Sequence, residues 1–390
     1  MADKTAAAAQ ESSAESAAAG SGAGADSAAA AAAAGSATSG VGAAGSGSAG
    51  SGSAGSGSAG SGSAAGSGSG KKSGSGRSQN GVSQSGAQQS GKAKSGAGRS
   101  APLPGRLAVR KTYKLYVGGA FPRSESGRSY PVTGADGSFL AHAALASRKD
   151  ARDAVVAARG AVSGWSGATA YNRGQILYRI AEMLEGRREQ FAAEVAAVEG
   201  AAPKEAAAQV DAAIDRWVWY AGWADKISQV RGAVNPVAGP FWSVSSPEPT
   251  GVVAVFAPLR PSLLGLVSVL APVIVSGNTC VVVAPDSAAL PAVTLSEVLA
   301  TSDLPGGVVN LLTGSVAELG KPLSEHMDVD ALDLAGVTDP QLATELEAAG
   351  AQNLKRVLRP EAETDWSADP GMGRLTAFLE TKTVWHPVGA

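Results

Sequence analysis

The chain has 390 residues, a formal net charge of −2 and one cysteine, which excludes an internal disulfide and suits a reducing compartment. Residues 1–105 are dominated by Ala, Gly and Ser and hold no aromatic side chain, so roughly 285 residues remain to build a core. No run is apolar for the length of a bilayer span, and the alanine-rich start lacks the pattern of a secretory signal, so a cytoplasmic protein is expected.

The N-terminal stretch reads as a solvated tether. Its alanine run at 28–34 has no apolar stripe to bury, and residues 45–64 repeat GSGSA four times. Gly/Ser chains behave as flexible coils, with nothing to offset the entropy of ordering them. Lys71, Lys72, Arg77, Lys92, Lys94 and Arg99 make its second half basic. Charges spread this thinly keep a linker soluble, so neither a nucleic-acid partner nor a membrane is expected.

Order is predicted to begin near Lys111, with a strand over 113–117, a Gly118-Gly119 turn and a return strand over 129–132 forming a hairpin. Helices follow over 150–161, from 171, over 191–198 and over 204–227. In the last of these, Ile214, Trp217, Val218 and Ala221 trace one face, and the tryptophans at 217, 219 and 223 read as packing rather than as a base-stacking platform.

Residues 251–314 organise the rest. Apolar strands at 252–257, 279–283 and 308–312 alternate with helical stretches, which means a parallel sheet covered on both faces. Ligands of such sheets bind at the carboxyl ends of the strands. Further on come a helix at 316–324, a strand at 331–334, a turn at Gly336, a helix at 340–349 and a strand at 355–358. Residues 359–373 (RPEAETDWSADPGMG) have no periodicity, and 375–385 is apolar and β-prone toward its end.

These segments, in order, resemble the aldehyde dehydrogenase superfamily. KLYVGGAF is similar to the family's opening hairpin, VVAVFAPLRPSLLGL to its strand and Trp-Asn-Phe-Pro turn, and SGNTCVVVAP to its Gly-Asn-Thr strand. LPGGVVNLLTG resembles the next strand, LDLAGVT the Phe-Thr-Gly-Ser turn, NLKRV the strand that leads into Glu-Leu-Gly-Gly, and LETKTVW the C-terminal arm strand. The resemblance implies a Rossmann-type α/β fold with flanking helices and an oligomerisation arm. It implies a tail over 1–105, a cofactor-type domain over 106–359, an acidic link over 360–373 where a catalytic domain normally lies, and an arm over 374–390.

Departures from the pattern outweigh the matches. Arg260 stands where the resemblance places an oxyanion-holding Asn, and Pro360 near the place of the water-activating Glu. Cys280 lies inside a strand with no cationic neighbour to lower its pKa, so it reads as buried and inert. Val283 replaces the ribose-binding Lys, Val337 and Ala335 replace two hydroxyls near the pyrophosphate, and Gln341 replaces a second glycine. What survives of a cofactor site is Pro258, Asp286 and Gly336, implying no NAD(P) or weak NAD(P) binding. His142, read in a loop, His326, before a strand, and His386, past the last strand, have no metal spacing.

The expectation is therefore a family member without catalysis of its own, assembled through its arm with a full-length paralogue or with itself. The alternative is an NAD(P)-dependent aldehyde oxidoreductase whose catalytic thiol comes from a partner subunit. A nucleotide-binding sensor is a third reading.

Overall fold

The computed structural model describes residues 109–361 and 363–389, so the tail expected over 1–105 lies outside the described residues. Strands β1 (Thr112–Tyr113), β2 (Ser129–Thr133) and β3 (Phe139–Ala144) form a small sheet in the order β1-β3-β2. The expected hairpin between 113–117 and 129–132 is not the one formed: β2 pairs antiparallel with β3, and β1 runs parallel to β3. The reason is local chemistry. Asp136 Oδ1 accepts the Ser138 N–H at 2.9 Å and Gly137 adopts φ 77°, so the Asp-Gly dipeptide closes the β2–β3 turn. Tyr116, meanwhile, exchanges both backbone hydrogen bonds with Leu311, at 3.0 and 2.6 Å. His142 accordingly lies in β3, not in a loop.

Five helices follow: α1 (Arg148–Ser166), α2 (Ala170–Glu185), α3 (Arg188–Glu199), α4 (Pro203–Trp223) and the short α5 (Ile227–Arg231). Ser147 and Asp150 cap α1 reciprocally, each side chain accepting the other's N–H. The helix outruns its expected end because Trp165 is buried and its indole N–H donates to the Ile274 carbonyl at 2.8 Å. On α4 the buried face is Val210, Ala213, Ile214, Trp217 and Tyr220, while Val218, expected in the stripe, is 40% exposed. Trp219 and Trp223, 5.5 Å apart, pack against the core, as the packing reading requires.

Next come β4 (Ala233–Asn235), β5 (Phe241–Pro249), β6 (Val252–Phe256), α6 (Leu264–Val275), β7 (Thr279–Ala284), a 3-10 turn at Asp286–Ala288, and α7 (Ala289–Leu299). Then β8 (Val309–Thr313), α8 (Val316–Glu325), β9 (Ala331–Asp333), α9 (Pro340–Ala351), β10 (Arg356–Leu358), α10 (Gly373–Thr376) and β11 (Leu379–Pro387) complete the order. His386 is thus inside the last strand and not past it.

The main sheet is parallel, in the order β10-β9-β6-β7-β8. Alternation along each strand divides its side chains between two cores. Val253, Val255, Cys280 and Val282 face α2, α4 and α6, whereas Val252, Ala254, Phe256, Val281 and Val283 face α1, α8 and α9. Every residue of α6 is buried, which matches its unbroken apolar sequence. A third sheet, β11-β5-β4, stands apart from these layers; in it β11 pairs antiparallel with β5 from Leu379–Pro249 to Pro387–Phe241. Among the described residues no helix is long and apolar enough to cross a membrane.

Candidate functional site

Strands β6, β7 and β8 add successively to one side of the sheet, and α8 then carries the chain back so that β9 lies on the other side of β6. Between β6 and β9 the winding therefore reverses, and crevices for ligands open at the carboxyl ends there. Pro258, Gly336 and Asp286 follow β6, β9 and β7, three adjacent strands, so the topology brings all three expected residues to one end of the sheet.

Their surroundings differ. The Gly336 N–H donates to the Phe256 carbonyl at 2.8 Å, and a Cβ at 336 would lie 2.1 Å from the Ala257 oxygen. This glycine lets the β9 turn lie directly on the end of β6. Pro258 is buried against Gly265, and the turn beyond it is tied from below. Glu199 Oε1 accepts the Ser262 N–H at 2.7 Å and the Ser262 hydroxyl, while Gln209 donates to Glu199 and accepts the Leu263 N–H at 3.1 Å. The donors at the start of α6 are thereby occupied, and Leu259 and Arg260 are left exposed. Asp286 is exposed, accepts the Ser287 N–H at 2.7 Å, and lies near β2. There burial pushes the Tyr130 phenol up and the Asp286 charge adds to the effect.

A dinucleotide pyrophosphate would need free N–H donors here, above all at a helix N-terminus. The α9 start is instead capped by Asp339, whose carboxylate accepts the Gln341 N–H at 2.9 Å, and Pro340 contributes no N–H. A carboxylate in that position repels phosphate. Val283 and Leu334 are fully buried and Val337 is 3% exposed, so none offers a polar atom to the crevice. This donor set does not fit a tightly held dinucleotide; Asp286 remains as a free acceptor.

The structure also assembles a polar cluster that the sequence did not announce. Residues 359–378, read as an irregular acidic link and the start of the arm, fold back over α4 and β9. Arg216 donates to the Ser268 hydroxyl at 2.9 Å and to the Trp366 and Ala368 carbonyls at 2.8 and 2.9 Å. Arg374 lies 5.0 Å from the Trp366 ring and pairs at 2.7 Å with Asp333, which is 1% exposed and also accepts the Ala335 N–H. Burial pushes the Asp333 carboxyl up while Arg374 pulls it down. The Tyr220 hydroxyl has no hydrogen bond among the described residues, and burial raises the phenol to about 12. The available signals were Arg216 and Tyr220 one turn apart on an apolar helix face, and Asp333 inside the apolar run ALDL.

Cys280 is fully buried, with Sγ 3.8 Å from the Val308 carbonyl, and burial pushes its thiol up, so it carries no thiolate for nucleophilic chemistry. Among the described residues no three His, Cys, Asp or Glu side chains are grouped to hold a metal ion.

Away from this end, Glu194 accepts from Gln190 at 2.9 Å and Thr294 at 3.0 Å, while its Oε2 has no partner among the described residues. Burial raises its carboxyl above the ordinary value, against those hydrogen bonds. A raised acid costs nothing below the ordinary glutamate range, where both states are protonated; the cost builds as pH rises through the ordinary value and is complete above the raised one. Glu194→Gln should therefore stabilise the protein by about 1 kcal/mol at about pH 8 and change little near pH 4. Urea titrations at both pH values check this, and equal effects at both would refute it.

Comparison with known proteins gives consistent matches. A family model described as the aldehyde dehydrogenase family matches residues 122–359. Mouse cytosolic 10-formyltetrahydrofolate dehydrogenase is 32% identical over 242 residues, covering 60% of this chain and 26% of that protein. Human retinal dehydrogenase 2 is 32% identical over 263 residues, covering 66% of this chain and 49% of that one. Among solved structures, HpcC from Thermus thermophilus superposes with a TM-score of 0.60 at 29% identity, covering 63% of this chain and 47% of its own. A putative aldehyde dehydrogenase from Burkholderia cenocepacia gives 0.60 at 28% identity, covering 63% and 51%. The chain spans about half or less of the length of these relatives.

Proposed function

Since this chain belongs to the aldehyde dehydrogenase family, we propose that it is a non-catalytic member, a structural or regulatory subunit assembled in the cytoplasm with an active full-length paralogue. One observation carries the reading: the segment between β10 and β11, residues 359–378, is folded onto α4 and β9 through Arg216 and the Arg374–Asp333 pair. The resemblance places a catalytic domain at that point of the chain. The chain's one thiol, Cys280, is buried in the sheet.

Assembly is supported by the third sheet. Val234 and Trp242, 65% and 55% exposed, lie on one of its faces, and Phe241 and Trp385, 43% and 55% exposed with rings 5.8 Å apart, on the other; exposed apolar surface of this kind marks interaction sites. Strand β11 is an edge, with backbone groups open to another chain. In this reading residues 374–390 are the arm, 360–373 the link that replaces a domain, 106–359 the cofactor-type domain, and 1–105 a tether.

The test is native mass spectrometry of complexes purified from the source cell by a tag on this chain. A full-length aldehyde dehydrogenase should be recovered at fixed stoichiometry. Recovery of free monomer alone, or aldehyde turnover by the isolated chain, would sink the proposal.

Exposed Asp286 favours a second reading, in which NAD(P) binds weakly and the partner supplies the thiol of an aldehyde oxidoreductase. Turnover by the complex that exceeds that of the partner alone and survives Cys280→Ser supports it. A complex no faster than its partner removes it.

A further inference from the structure

Beside the carboxyl end of β8, where the Thr313 hydroxyl donates to the Ala144 carbonyl, the loop between β1 and β2 encloses a cleft of about 260 Å³. Lys114, Arg123 and Arg128 line it together with Tyr113, Ser129 and the backbone at Gly127. No carboxylate is among its lining residues. Arg128 shares its charge with Glu318 at 3.3 Å, an exposed contact that is weak in water. Lys114 and Arg123 are exposed and make no ion pair or side-chain hydrogen bond among the described residues. Lys111, Lys149 and Arg152 pair with Glu297, Glu125 and Asp153. What distinguishes Lys114 and Arg123 is that they share one cleft with a third cation, Arg128.

The sequence shows a second, independent bias. Between Asp26 and Glu125 there is no acidic residue, while residues 27–124 contain eleven Lys or Arg. Lys114 and Arg123 are the last two cations of this segment.

We propose that the cleft binds the phosphate group of a small phosphate monoester. Guanidinium forks and an ammonium are the groups that recognise phosphate oxygens, Arg in paired hydrogen bonds and Lys as a point charge. The Ser129 hydroxyl adds a neutral donor, and the Tyr113 ring supplies an apolar wall for the carbon portion. The volume admits one phosphate and a few further heavy atoms, which sets the ligand's size. This site stands independently of any role in assembly, since it draws on neither the crevice nor the third sheet.

Calorimetry on the full chain with inorganic phosphate and glycerol phosphate, at low and high NaCl, tests the proposal. Binding should appear at low salt, weaken with salt, and fall at least tenfold in Lys114→Ala/Arg123→Ala. Thermal unfolding of that variant without ligand should match the wild type, because both side chains are exposed and unpaired. Arg152→Ala, which removes a cation elsewhere, should leave binding unchanged. Absence of heat with both phosphates, or equal binding by the double variant, overturns the site. Fluorescence anisotropy with a single-stranded oligonucleotide separates the sources of phosphate: cleft-dependent binding of the oligonucleotide without binding of glycerol phosphate overturns the small-molecule assignment.

Discussion

Arg374→Met should lower the unfolding free energy by roughly 3–5 kcal/mol, because it leaves the Asp333 carboxylate, 1% exposed, without its cation. The same substitution frees one edge of the 359–378 segment, which Arg216 also ties through the Trp366 and Ala368 carbonyls and Asn278 through the Phe378 carbonyl. Proteolytic nicking between 359 and 378 should therefore rise with the loss of stability. Asp333→Leu/Arg374→Met tests the cause. With both charges gone there is no uncompensated carboxylate, and most of the lost stability should return. Urea midpoints at a constant slope measure all three proteins. A single variant within about 1 kcal/mol of wild type would mean that the pair is solvated and does not fasten the segment.

Gly336→Ala should be the most damaging single methyl in the chain's crevice. Its Cβ would lie 2.1 Å from the Ala257 oxygen, 2.5 Å from the Ala257 carbonyl carbon and 2.8 Å from the Phe256 oxygen. All three are backbone atoms at the end of a central strand, so no side chain can rotate away. The turn must lift, and the 2.8 Å hydrogen bond from Gly336 to Phe256 breaks with it. Overpacking of this kind costs on the order of 3 kcal/mol. Gly222→Ala, where a Cβ meets nothing within 4 Å, serves as the control and should cost little or stabilise α4. Equal thermal midpoints for the two variants would refute the close approach.

The parallel sheet was legible because its strands are buried on both faces, and burial writes itself into sequence as unbroken Val, Ile and Leu. Strands β6 and β7 are of that kind, every residue in each being buried. Pairing partners were not legible. The alternation in 113–117 was real, but alternation records a face and not a neighbour, and Tyr116 found Leu311 far along the chain. The Asp-Gly turn at Asp136-Gly137 is the stronger local hairpin signal.

At the crevice, residue types could be read but occupancy could not. Pro258, Asp286 and Gly336 do gather at one end of the sheet, since the order of parallel strands fixes where their turns lie. That Glu199 and Gln209 fill the α6 start depends on side chains from distant elements, whereas Asp339, which fills the α9 start, is that helix's own N-cap. The Arg374–Asp333 pair, 41 residues apart, follows no spacing rule. Arg216 on the apolar face of α4 and Asp333 inside the apolar run ALDL each signalled that something polar had to lie opposite.

The pairing of β5 with β11 has a consequence for how the chain is made. Leu379 meets Pro249 and Pro387 meets Phe241, so the two strands are separated by roughly 130 residues of later synthesis. At ribosomal speeds β5 emerges on the order of ten seconds before its partner strand. During that interval one of its edges has only the three-residue β4, and the other has nothing from its own chain. A β5 edge held open for that time can be taken by a strand already finished on another chain. In the proposed assembly, timing and local concentration on the ribosome then weigh on partner choice at this sheet alongside the affinity of the completed surfaces.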